Sequence, residues 1–332
     1  MNVSVRWSIE QAGLEGRSNF TYMKKDICAL SFSEKERICE KTFIEHGPYW
    51  HLYTDGTRMQ DIFCTDEDMD IGMWILASAV CSVKDVKIIT FEIMSNHVHK
   101  ILSGKRESCI KMFDLFKARL KRVMNRRGRM VEWDLFNADI LQIETLRTLR
   151  NEIIYANRNA YVANPRYTPD SYPWGGGCAY FNAWTNSFSI TPFTSLTIDR
   201  KRELTHSRDI SDYDNLQLIG QRVFIPSFCD IRLGEALFTD PRSYFNALTR
   251  NAEAFSQIAE HLKDSIFMTD DEMYSVAISH INKEYGIRNI SHLTPQQKIE
   301  CARHLRFMYN ATRQQLRRIL KLEDHVLSEL FP

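Results

Sequence analysis

Along the first 180 or so residues the apolar positions change period several times, and each change marks an element. In "SFSEKERICEKTFIEHG" apolar residues recur at helical spacing behind Ser33 and Glu36, a capping box, which predicts a helix ending near Gly47. "YWHLYTDGTRMQDIFC" gives two strand-like runs around Asp55-Gly56, a hairpin signal. "DEDMDIGMWILASAVCSVKD" reads as a helix with acids in its first turn. "VKIITFEIMS" and "HVHKILSG" predict two strands joined at Ser95-Asn96, the first rich in β-branched and aromatic residues.

"ESCIKMFDLFKARLKRVMNRRGR" predicts an amphipathic helix, with Ile110, Phe113, Phe116, Leu120 and Met124 on its apolar face. A short strand is expected near Trp133 to Phe136. A further helix is expected from about Glu144 to Tyr161, before the turn-enforcing prolines and glycines of "VANPRYTPDSYPWGGG". Mixed elements with short connections predict an α+β sheet covered by helices and ending near residue 182. Beyond it, residues 183–290 read as a Ser/Thr-rich polar linker followed by helices. Residues 291–332 hold three short helical patterns separated near Asn310 and Glu323.

Composition narrows the class. In 332 residues, 44% hydrophobic and 26% charged, no apolar run approaches the ~18 residues of a membrane span. The first twenty residues lack a basic-then-apolar export pattern, so a cytoplasmic protein is expected. Eight cysteines occur without any CxxC and read as reduced core thiols. The net charge is only +1, but from Lys100 to Arg129 there are eleven Lys and Arg against two acids, a candidate phosphate-binding footprint.

The strand around "NHVH" carries the chemistry. Side chains alternate across a strand, so His97 and His99 project to one face and are able to share a metal ion. In "RTLRNEIIYANRNAY", Tyr155 and Asn159 lie one helical turn apart on one face, a nucleophile beside a carboxamide ligand. Two imidazoles, a carboxamide and water suit Mg²⁺ or Mn²⁺, whereas a structural zinc site more often uses cysteine.

Three segments in order resemble the REP-associated tyrosine transposase branch of the single-tyrosine HUH transposase family: Met94-Ser95-Asn96-His97-Val98-His99, Tyr155 with Asn159, and Tyr172-Pro173-Trp174. The thirteen residues from Asn159 to Tyr172 match that family's spacing. Tyr161 with Asn164-Pro165 leaves eight, so Tyr155 is preferred. "WHLYTDG", "DIFC", "FKARLKRVMNRRG" and "EWDLFNADI" extend the likeness over about residues 45–181. Ala160, Ser95, Gly175 and Gly176 depart from the family pattern without removing a ligand or the nucleophile.

The resemblance implies a ferredoxin-like HUH domain over residues 1–182 with a central antiparallel sheet. It also implies a metal-dependent endonuclease and strand transferase acting on hairpin-bearing single-stranded DNA through a 5′-phosphotyrosine intermediate. His97, His99 and Asn159 are then the metal ligands and Tyr155 the nucleophile, in a monomer or a homodimer. His51 lies near an early family segment and is read first as a core hydrogen-bonding residue. Lys117, Arg119, Lys121, Arg122, Arg126 and Arg127 are expected on DNA phosphates. Arg313, Arg317 and Arg318 are expected on a recognition helix of a C-terminal helix-turn-helix. The alternative is a domesticated nucleic-acid-binding regulator that does not cut.

Overall fold

The computed structural model describes residues 30–57, 59–163, 167, 168, 170–182, 188–250, 258, 268–309 and 311–331. The export reading of the first twenty residues, the Asn164-Pro165 pair and the break at Asn310 lie outside them. The first helix, α1 (Phe32–His46), is capped by Ser31 and Glu34 rather than by Ser33 and Glu36. Two S-x-x-E registers overlap here, and Glu36 is instead drawn into a bidentate pair with Arg150.

A β-α-β-β-α-β unit follows: β1 (Tyr49–Thr54), α2 (Asp66–Cys81), β2 (Val86–Ile93), β3 (Val98–Gly104), α3 (Arg106–Arg126) and β4 (Ala138–Ile143). The strands form one antiparallel sheet in the order β2-β3-β1-β4. Two local expectations fail. No second strand follows Asp55-Gly56 among the described residues; instead Ile62 and Phe63 both donate backbone N–H groups to Ser95 O, so the segment closes on the β2–β3 turn. The strand expected at Trp133 to Phe136 is a turn, and the paired segment is Ala138–Ile143, a half-exposed edge that completes itself on β1.

The sheet has two unlike faces. Tyr53, Glu92 and His99 are register partners across β1, β2 and β3 and share one face. Lys100 points to the other, where its Nζ lies 4.9 Å and 4.2 Å from the ring centroids of Phe113 and Phe116 on α3. An extra residue in β2, between Ile88 and Thr90, shifts the register so that Thr90 pairs with Ile101 and Glu92 with His99.

The face carrying His99 is covered by α4 (Leu146–Ala163). The segment from Ile190 onward is no linker. Strands β5 (Ile190–Pro192), β6 (Gln217–Ile219) and β7 (Arg222–Val223) form a small second sheet, joined by helices α5 (Ile198–Thr205), α6 (Ile231–Ala236) and α7 (Pro241–Arg250). Phe193, Tyr213, Leu216 and Tyr244 enter the core that also holds the first sheet, so the boundary placed near residue 182 is not a break in packing.

A separate core begins at Met268 rather than at 291. It is built by α8 (Asp270–Tyr285), α9 (Pro295–Tyr309), α10 (Arg313–Leu320) and α11 (Asp324–Leu330). Among the described residues no helix is long and apolar enough to cross a membrane, and the cysteines there are free thiols, Cys64 alone being exposed.

Candidate active site

The sequence separates the two imidazoles by one residue, and the fold sets them at the start of β3. His97 immediately precedes the strand, where its carbonyl accepts from Met94 N–H and closes the turn. His99 lies inside it. Their ring centroids are 5.1 Å apart with the planes nearly perpendicular, so both face the same space. Gly56 lies against the His97 ring. A Cβ there would sit 2.5 Å from His97 Nδ1, so the Asp55-Gly56 loop serves the site by close approach.

Helix α4 brings its own pair to this space. The Tyr155 ring is 5.5 Å from that of His99, edge to face, and 6.4 Å from that of His51. One turn on, Asn159 Nδ2 lies 3.2 Å from His99 Nε2. All four residues singled out in the sequence therefore meet: His97, His99, Tyr155 and Asn159 are 5%, 0%, 4% and 4% exposed, a closed site.

Of the residues behind them the sequence singled out His51, as a core hydrogen-bonding residue, but not Glu152. His51 Nδ1 donates to Glu152 Oε2 at 2.7 Å, and His51 Nε2 lies 3.1 Å from His99 Nδ1. Glu152 is one turn before Tyr155 on α4. Asn96 accepts from His97 Nδ1 at 2.7 Å, while its own amide nitrogen donates to Gly56 O and Met59 O. The "YPWGGG" segment runs along the free edge of β2: Ile93 N–H donates to Trp174 O and Tyr172 Oη to Ile93 O. Gly176 packs on Thr90, leaving a Cβ only 2.3 Å from Thr90 Oγ1, which accounts for a glycine where the resembled family carries serine.

The basic residues are not gathered at this site. Helix α3 uses its apolar stripe against the Lys100 face, so its charges lie across the sheet from the imidazoles. Lys117 donates to Asn137 Oδ1, Arg119 to Ser78 and Ser82, and Arg122 to His206 O. Arg127 is a fork onto Glu67 and Asp68. Burial alone would raise the Asp68 carboxyl, but bonds from Arg129, Arg127, Thr65 and Cys64 hold it below the usual carboxylate value. Arg127 is thereby committed to structure, while Lys121 and Arg126 remain exposed. In the C-terminal unit Arg313 donates to Phe331 O, Arg318 pairs with Asp270, and Arg317 is exposed. The turn with a left-handed residue, Lys321, comes after α10, so the helix beyond it is the acidic α11.

No protein-family model matches the chain, and no curated protein or solved structure matches it. Among the described residues no group of three or more His, Cys, Asp or Glu side chains is arranged to hold a metal ion. The candidate set differs in kind, being two imidazoles and a carboxamide. The hydrogen bonds fit it: Asn96 Oδ1 can only accept, so His97 carries its proton on Nδ1 and its lone pair on Nε2.

Proposed function

We propose that the chain is a metal-dependent endonuclease and strand transferase of the single-tyrosine HUH type, acting on hairpin-bearing single-stranded DNA. The observation that carries the reading is the convergence of two helix residues on the two histidines at the head of β3: the His97 and His99 rings are 5.1 Å apart, Tyr155 lies 5.5 Å from His99, ring to ring, and Asn159 Nδ2 lies 3.2 Å from His99 Nε2. The β-α-β-β-α-β order with sheet order β2-β3-β1-β4 supports a ferredoxin-like domain of the HUH kind.

His97, His99 and Asn159 would hold Mg²⁺ or Mn²⁺, which supplies charge withdrawal from a phosphoryl oxygen when bound. Tyr155 is the nucleophile. Its oxygen bonds to phosphorus, the 3′ oxygen leaves with a proton, and the 5′ side stays on the enzyme as a phosphotyrosine. Rejoining is the same step reversed and needs no nucleotide cofactor. All the parts come from one chain, so a monomer is sufficient.

A second reading, a nucleic-acid-binding regulator that does not cut, is favoured by the 4% exposure of Tyr155, because a DNA phosphate reaches the hydroxyl only if the cover over the site moves. One experiment separates them. Incubation with hairpin-flanked single-stranded DNA and Mn²⁺ should give a covalent adduct that is lost with chelator and in Tyr155→Phe but kept in Tyr161→Phe. An adduct that persists in Tyr155→Phe overturns the nucleophile assignment, and no adduct under any condition favours the regulator.

A further inference from the structure

A histidine binds a metal through an unprotonated ring nitrogen, and which nitrogen is free is set by the bond the other one makes. Two chains of hydrogen bonds bear on this for the pair at the head of β3. The first begins at Glu152. A carboxylate accepts, so His51 Nδ1 carries a proton. Where that is the ring's one proton, His51 Nε2 accepts and the nearby His99 Nδ1 donates. His99 Nε2 is left with its lone pair facing Asn159, whose Nδ2 donates to it.

The second chain begins at Asn96. Both protons of its amide are used on Gly56 O and Met59 O, at 2.9 Å and 3.0 Å, so the group cannot turn over without losing them. Its oxygen is therefore fixed toward His97 Nδ1.

We propose that Glu152, through His51, and Asn96, through its own amide, are positioning residues that hold His99 and His97 in the Nδ1–H form, so that two Nε2 lone pairs are presented together before any cation arrives. The use of that arrangement for metal rests on the endonuclease reading; the proton placement itself does not. The two devices are independent in sequence and differ in chemistry, yet both end on the same ring atom. Glu152 is one turn from Tyr155 on α4, so the contact that sets the His99 tautomer also docks the helix that carries the nucleophile. The position of this chain's first-strand histidine is thereby explained: His51 is fully buried and spans the gap between a helix carboxylate and a strand imidazole.

The test uses the full chain labelled with ¹⁵N-histidine, read by long-range ¹H–¹⁵N correlation at neutral pH without metal, with signals assigned from single substitutions. His97 and His99 should both show an unprotonated Nε2. Glu152→Leu should disturb the His99 pattern and Asn96→Leu that of His97. Glu152→Gln, whose amide oxygen still accepts from His51, should leave the His99 pattern intact. Followed by electron paramagnetic resonance, Mn²⁺ affinity should fall about 10–100-fold in the two leucine variants and stay close to wild type in Glu152→Gln. A proton on Nε2 of either histidine in the wild-type chain overturns the proposal, as do unchanged tautomers in both leucine variants. A wild-type chain with both Nδ1–H tautomers that fails to take up Mn²⁺ overturns the endonuclease reading instead and leaves the proton placement standing.

Discussion

Arg158, the residue before Asn159 on α4, forms a buried ion pair with Glu272 in the first turn of α8. The helix that carries Tyr155 and the separate C-terminal core are thus joined through charges that are 4% and 8% exposed. Glu272 also caps its own helix, accepting from Thr269 N–H at 2.9 Å. Arg158→Met should destabilise the protein by about 3–5 kcal/mol, because it leaves a buried carboxylate without its counter-charge. Adding Glu272→Gln should recover much of that loss, since the amide still caps the helix without a charge. Urea unfolding of the single and double variants checks this, and equal stability of Arg158→Met and wild type would contradict it.

Lys100 is fully buried, and its Nζ lies over the rings of Phe113 and Phe116 and makes no hydrogen bond among the described residues. Burial pushes its pKa well below the ordinary lysine value. The unfolded chain binds a proton there below about pH 10.4 that the folded chain resists, so this residue makes stability rise with pH. Lys100→Met should therefore be more stable than wild type at pH 7. Its advantage should shrink by up to about 1.4 kcal/mol for each pH unit toward 10. Unfolding curves of both proteins at pH 7, 8 and 9 measure it, and a constant difference would exclude a neutral folded-state lysine.

His280 and His304 stack 3.8 Å apart between α8 and α9. Burial lowers both pKa values; at His280 Lys283 adds to this and Glu284 opposes it, while at His304 the neighbouring His280 adds and Glu284 opposes. Depressed histidines contribute stability above the unfolded value of about 6.5 that is lost as pH falls below it. The C-terminal unit should open before the rest of the chain as pH drops from 7 toward 5, visible as early loss of amide protection in α8 and α9. His280→Gln should raise the His304 midpoint in a proton titration.

Gly176 offers a packing test of the edge segment. A Cβ there would meet Thr90 Oγ1, which donates to Asn157 on α4. Gly176→Ala should cost about 1–3 kcal/mol as an overpacked site. The cost should shrink in a Thr90→Ala background, giving a coupling energy in a double-mutant cycle.

The parts of the molecule that were legible are those whose signal is local. The β2–β3 pair announced itself through a β-branched run broken only at Ser95-Asn96, and α3 through its apolar spacing. β4 escaped because it is an edge strand whose partner, β1, is some ninety residues away; its own pattern is weak and half-exposed. Of the site, the HxH pair and the Tyr155–Asn159 offset were readable, since each is a short spacing on one element. Glu152 and His51 are separated by 101 positions, and nothing in either segment marks the other. The basic run misled for the same reason: charge counting does not reveal that Arg127 meets Glu67 and Asp68, about sixty residues back.

The extra residue in β2 has a consequence for deletion. Ile88 opposes Leu102 and Thr90 opposes Ile101, so Ile89 is the surplus member of the ladder. Removing it would set 88 and 90 side by side opposite 102 and 101: the strand would run straight, and Phe91 and Glu92 would keep the faces they have. The loss would fall elsewhere. The Ile89 carbonyl accepts from Tyr180 Oη at 2.9 Å and from the Cys229 thiol, so a one-residue excision would leave the imidazole wall in register while unhitching the later segment that leans on the bulge.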